Sequence, residues 1–194
     1  MRIREYIGAG DTYQVNFTYR LRTVFHGDPH ALFARLAAAQ EAPYAAYVDT
    51  GRWVLASASP ELFFHLHGTR IPSKPMKGTA RRAPLPERDG EQARRLRASG
   101  KERAENLMIV DMVRNDLGRI ARPGSVRVPR LFAVERYPTV WQMTSTVEAH
   151  TDASLTDIFR ATFPPASITG APKARTMEII RELECSPRRI YTGT

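Results

Sequence analysis

From Tyr13 to Leu21 the apolar residues Tyr13, Val15, Phe17, Tyr19 and Leu21 alternate with Gln14, Asn16, Thr18 and Arg20, the period of a half-buried strand. Gln14 and Asn16 then share its polar face. Asp28 and Pro29 supply an N-cap and a first-turn proline for a helix over "HALFARLAAAQ". "YAAYVDTGRWVLASAS" predicts a hairpin turning at Asp49-Thr50-Gly51, and "LFFHLHGTRIP" a second one turning at Gly68. Residues 80 to 100 are polar, proline-bearing and highly charged, which predicts a mobile loop followed by an exposed helix.

A strong helix follows over "KERAENLMIVDMVRNDLGRI", apolar through most of its middle and therefore central to the core. "SVRVPRLFAVERY" and "TVWQMTSTVEAH" read as strands. "LTDIFRATF" and "PKARTMEIIRELE" read as helices separated by the loop "PPASITG", with Pro172 in the first turn of the second. "RRIYTGT" begins one more strand. There are no internal repeats, and this order predicts one α+β domain over residues 1–194, rich in antiparallel sheet.

A chain of 194 residues with 42% hydrophobic residues can bury one sizeable core. Cys185 is the only cysteine, so no internal disulfide framework forms, and the composition suits a reducing compartment such as the cytosol. "MRIREYIGAG" lacks the apolar run of a signal peptide, and no stretch reaches the roughly 18 apolar residues of a membrane helix. The net charge of +9 suits nucleic acid, an anionic membrane or a small polyanionic substrate, and does not choose among them.

Four local patterns bear on chemistry. Lys77, in "PMKGT", stands between an apolar residue and a glycine, a setting that depresses an amine pKa and allows close approach of a substrate; a solvated loop lysine is the simpler alternative. Glu61, in "SASPELF", opens an apolar strand where burial can raise its pKa into the range of a general acid or base, unless it is only a surface charge at a strand end. Glu102 and Glu105 share a helix face, suited either to a hard cation such as Mg²⁺ or simply to the helix dipole. Thr169, Gly170 and Ala171 stand at the mouth of a helix, where free backbone N–H groups attract a carboxylate or where Thr169 serves as an ordinary cap. No Walker loop, complete dinucleotide fingerprint, Ser-His-Asp set or metal-spaced histidines are present.

Taken in order, "GDTYQVNFTYRL", "ASPELFF", "PMKGTARR", "KERAENLMIVDMVRNDLGRI", "YPTVWQMTSTV", "FPPASITGAPKARTMEII" and "RRIYTGT" resemble the chorismate-binding enzymes, the family of the anthranilate, isochorismate, salicylate and aminodeoxychorismate synthases. The resemblance covers essentially the whole chain and implies an α/β fold with helices packed around antiparallel sheets. Gln14 stands where the water-using members carry a lysine, and an amide is no base near neutral pH, so ammonia is the implied nucleophile. "PMKGT" resembles the "PIKGT" of the aminodeoxychorismate synthase branch rather than the "PIAGT" of anthranilate synthases. That resemblance implies Lys77 as a nucleophile toward the chorismate ring, Glu61 as general acid, and Mg²⁺ held directly by Glu105 and through water by Glu102. It further implies that Thr169, Gly170 and Ala171 contact substrate, that Tyr191 binds the enolpyruvyl carboxylate, and that a glutamine amidotransferase subunit delivers ammonia.

Two positions depart from the pattern: Gln142 stands where many relatives have a histidine, and "FPPAS" replaces "FPGGS". The chain also stops before the arginine, glycine-rich turn and second metal-binding glutamate of the family, so the resemblance implies an incomplete catalytic domain that also lacks an N-terminal region. The competing expectations are anthranilate synthase component I, a truncated non-catalytic relic, and a basic nucleic-acid-binding module supported by charge alone.

Overall fold

The computed structural model describes residues 2–191, along which short helices and antiparallel strands interleave. Helix α1 (Arg2–Gly8) leads to β1 (Gln14–Val15), and α2 (Pro29–Gln40) starts at an Asp28 cap that accepts from the backbone N–H of His30 and Ala31. The hairpin β2 (Tyr44–Asp49) and β3 (Val54–Ser59) follows, then β4 (Arg70–Ser73) and β5 (Met76–Arg81). Helices α3 (Pro86–Ala98) and α4 (Gly100–Gly118) precede β6 (Arg127–Arg136) and β7 (Val140–His150). Helix α5 (Leu155–Thr162), the single turn α6 (Ala166–Thr169), β8 (Gly170–Ala171) and α7 (Lys173–Leu183) complete the described part.

β7 organises the main sheet: β4 and β5 pair with its two halves along one side and β6 along the other, all antiparallel. β6 carries Pro129, which has no N–H for a ladder, and the register slips on either side of Arg130, as an outer strand tolerates. One face of the sheet is covered by α4, whose inward residues recur at helical spacing. Val110 and Leu117 join Ile71, Val147, Ala149 and Ile158 in the core cluster, with Val113 packed against it. Ser99 caps α4 by accepting from the Glu102 N–H at 3.3 Å.

The expected helices and most expected strands are present, with four differences. The strand expected over Tyr13–Leu21 is only two residues long, because its partner β8 is itself two residues and, among the described residues, no strand lies beside Thr18–Leu21. Phe17, Tyr19 and Leu21 are accordingly exposed. The run "LFFHLH" does turn at Gly68 and meets the following strand through hydrogen bonds from His65 N–H to Pro72 O and from His67 N–H to Arg70 O, yet it is not itself a regular strand. The charged stretch after β5 is no long loop: α3 starts at Pro86, and Asp89 anchors the short connection by accepting from the Arg82 guanidinium, the Ala83 N–H and Trp141 Nε1. The strand expected from Arg188 onward has not begun by Tyr191, and Thr192–Thr194 lie outside the described residues.

Candidate active site

β5 presents Lys77 at a break in its ladder, and the N-terminal half of α4 lies directly over the next residue. Gly78 has φ +97°, and a Cβ there would stand 3.1 Å from Met143 Cβ, 3.2 Å from Glu102 Cβ and 3.3 Å from Glu102 Oε2. Glycine is thus required twice, by the backbone angle and by the close approach of the helix. Its absence of a side chain brings Glu102 and Glu105 beside the Lys77 strand. Glu61 arrives from the turn after β3, where its N–H donates to Ser59 Oγ at 3.3 Å. The Glu61 carboxyl meets the Ser167 side chain of α6 and the backbone of Met76, so it reaches the same strand.

The two central groups are pushed toward their neutral forms. Burial holds the Glu61 carboxyl above the usual carboxylate range, against Ser167, the Lys77 charge and the Met76 backbone bond, which all pull it down. Burial likewise holds the Lys77 amine below the usual lysine value, against the charges of Glu61 and Glu105, which pull it up. Lys77, Glu61 and Glu105 therefore form one electrostatic group, assembled from β5, the turn after β3 and α4. An amine and a carboxyl both biased to neutrality can act as nucleophile and acid in one reaction.

Gln14 and the residues around Thr169 form a second group. Gln14 is paired with Ala171 and Val15 with Gly170. A Cβ on Gly170 would fall 2.0 Å from the Gln14 carbonyl oxygen, so only glycine allows β1 and β8 to meet. Gln14 Oε1 is buried and has no protein partner, an acceptor aimed inward with nothing donating to it. Ser167 lies in the turn that leads into Thr169, so the segment that holds Glu61 also carries this second group.

The alternative in which Thr169 caps the following helix is corrected here. α7 is capped by Pro172, not Thr169, and Gly170–Ala171 form a strand whose geometry is set by β1. Thr169 Oγ1 instead donates to Pro165 O at 3.0 Å, closing α6 on itself. The pairing with β1 engages carbonyls of this segment: Tyr13 N–H donates to Ala171 O and Asn16 N–H to Thr169 O.

A cleft of about 790 Å³ opens between the β2–β3 hairpin and α6, with Glu61, Ser167 and Tyr191 on its wall and Phe63, Phe64 and Phe159 forming an apolar side. Asp116 also reaches this wall and bonds Lys173 at 2.7 Å, a pair whose side chains are 7% and 13% exposed. Lys173 Nζ additionally donates to Thr162 O at 3.3 Å, so both ends of the loop from Phe163 to Pro172 are tied to α4. Ser167, Asp116, Lys173 and the buried Asn106 were not singled out as site residues by sequence reasoning. Asn106 and Asp116 left one signal, a polar residue at an inward position of an apolar helix.

Among the described residues no cluster of three His, Cys, Asp or Glu side chains is arranged to hold a metal ion. Glu102 and Glu105 nevertheless suit a cation that keeps water and substrate oxygens as its remaining ligands, and the space that a Cβ on Gly78 would fill leaves Glu102 Oε2 accessible from β5.

The chorismate binding enzyme family matches residues 1–194. Aminodeoxychorismate synthase component 1 of Klebsiella aerogenes is 47% identical over 195 residues, a match covering 100% of this chain and 43% of that protein. Anthranilate synthase component 1 1 of Haloarcula marismortui is 43% identical, across 99% of this chain and 40% of that one. The crystal structure of anthranilate synthase component I from Streptococcus pneumoniae superposes with a TM-score of 0.85 at 31% identity, over 94% of this chain and 40% of the other. The chain thus spans less than half the length of these relatives. With a family match along its entire length and the fold of a solved member, the chain belongs to the chorismate-binding enzyme family.

Proposed function

We propose that the protein is component 1 of an aminodeoxychorismate synthase, which aminates chorismate at C4. The observation that carries this reading is the pairing of a buried amine, Lys77, with a buried carboxyl, Glu61, each held toward its neutral form. Neutral Lys77 Nζ adds to C2 of the chorismate ring as the ring double bond shifts and the C4 hydroxyl departs. Glu61 gives its proton to that hydroxyl, which leaves as water. Ammonia then adds at C4 while the bond to Lys77 Nζ breaks, restoring the ring pattern and the free lysine.

Gln14 presents a buried acceptor with no proton-abstracting capacity, which suits ammonia and not activated water. Glu105 would hold Mg²⁺ directly and Glu102 through water, and the bound ion would neutralise the ring carboxylate. Tyr191 and the Thr169–Ala171 segment would border the enolpyruvyl side of the ligand. The name "component 1" of the Klebsiella relative supports a second component. A glutamine amidotransferase fits that role, because Cys185 is exposed at the end of α7, away from any setting that would make it a glutamine-hydrolysing nucleophile. Among the described residues no helix is long and apolar enough to cross a membrane. That absence and the single cysteine fit a cytoplasmic enzyme.

The test is product identification with chorismate, ammonium and Mg²⁺. The expected product is 4-amino-4-deoxychorismate, with a Lys77 adduct visible by intact-protein mass spectrometry and abolished in Lys77→Ala. A fluorescent anthranilate product would assign the protein to the anthranilate branch, to which the Haloarcula relative also points.

A further inference from the structure

The strand that carries Lys77 is irregular at that residue. Met76 pairs with Thr144 and Thr79 with Gln142, so Lys77 and Gly78 together oppose Met143 alone. Such a bulge takes backbone groups out of the regular ladder and re-aims the side chains beside it. Two carbonyls at this break are met by one side chain from α4: Asn106 Nδ2 donates to Lys77 O at 3.1 Å and to Met143 O at 3.4 Å. The amide oxygen is engaged as well, because Ser145 Oγ donates to Asn106 Oδ1 at 2.5 Å. Ser145 Oγ in turn accepts from the Phe132 N–H at 3.1 Å.

Asn106 is 1% exposed and Ser145 is fully buried, so water cannot replace either partner. Two donors and one acceptor in a single planar group is what this break demands, and a carboxamide supplies it where a carboxylate or an aliphatic side chain does not. Asn106 also follows Glu105 on α4, one turn after Glu102. The same residue therefore references the Lys77 backbone to the helix that bears both carboxylates.

We infer that Asn106, with its amide oriented by Ser145, is a positioning residue for Lys77: it holds the β5 bulge in the arrangement that directs the amine toward Glu61 and Glu105. The inference deepens the proposed function and rests on Lys77 being its nucleophile. Asn106 touches the Lys77 carbonyl and not its amine, so it acts through the backbone.

The experiment compares wild type, Asn106→Ala and Ser145→Ala, each first shown to melt cooperatively. Lysine acetylation by dilute acetic anhydride is read by peptide mass spectrometry as the ratio of Lys77 to Lys74 modification. Releasing the bulge is expected to change that ratio about tenfold in Asn106→Ala, because both the exposure of the amine and the burial that keeps it neutral are altered, with Ser145→Ala between it and wild type. In the amination assay, kcat and kcat/KM fall together, by about a hundredfold, as expected when a reacting group is misplaced without loss of substrate affinity. An unchanged Lys77-to-Lys74 ratio in folded variants overturns the inference. If Asn106→Ala does not fold, the Ser145→Ala ratio decides by the same criterion. A wild type that fails to aminate chorismate while the ratio still changes in the variants overturns the proposed function and leaves the positioning role standing.

Discussion

Lys77 and Glu61 answer to the same force with opposite consequences for charge. Burial lowers the lysine and raises the glutamic acid, so the gap between them narrows from both sides. The proposed chemistry needs the amine deprotonated and the carboxyl protonated at once. The fraction in that form grows as the gap closes, rises with pH until Glu61 begins to ionise, and falls once Lys77 is neutral. A bell-shaped profile of kcat/KM is expected, and Glu61→Gln should convert it to a single ascending limb at a much lower rate, because only Lys77 still titrates. A descending limb retained in Glu61→Gln would remove Glu61 from the acid role. The local settings of Lys77 and Glu61 left a surface role open for each, and the longer motifs around them, read as a family resemblance, are what implied the two roles. Ser167, which holds the Glu61 carboxyl, could not be recognised, because a serine in a loop has the same local signature whether it faces solvent or a buried acid.

The segment from Phe163 to Pro172 is held by β1 at Thr169–Ala171 and, at its ends, by one ion pair between helices. Asp116 near the end of α4 and Lys173 at the start of α7 are bonded at 2.7 Å in a nearly closed environment. Removing one partner leaves a buried charge uncompensated, at a cost of about 3–5 kcal/mol, whereas replacing both with apolar residues costs much less. Asp116→Ala is expected to lower the urea midpoint strongly, and Asp116→Leu with Lys173→Met to recover most of it. Equal midpoints for the single and double variants would show that the pair does not carry the loop. The helices themselves were legible because caps and periodicity are local: Asp28 and Pro29 mark the start of α2 within two residues. The length of β1 was not legible. Its alternation continues to Leu21, but a strand extends only as far as a partner accompanies it, and β8 offers two residues.

Part of the basic character of the chain, whose net charge is +9, is taken up in ion pairs. Arg70, Arg82, Arg122, Arg175 and Arg188 bond to Glu148, Asp89, Asp152, Asp11 and Glu184 on different elements. Arginines committed in this way are less available to phosphates. Retention on a DNA or RNA column is expected at low salt and lost by about 0.15 M, since nonspecific binding weakens steeply as counterions compete. Retention above that concentration would revive the nucleic-acid reading.

By itself the sequence determined the α+β class, the positions of the helices, the β2–β3 hairpin, and the family, whose resemblance implies a shared site for Lys77, Glu61, Glu102 and Glu105. These follow from periodicity, caps, turns and long contiguous motifs, all of which are read from residues close together in the chain. Only the tertiary structure decided that Gly170 closes β1 onto β8, that Pro172 and not Thr169 caps α7, and that Lys77 sits in a bulge clamped by Asn106. Each of these depends on which distant segment packs against the residue, and that is settled by burial and by the pairing of backbone groups across the folded chain.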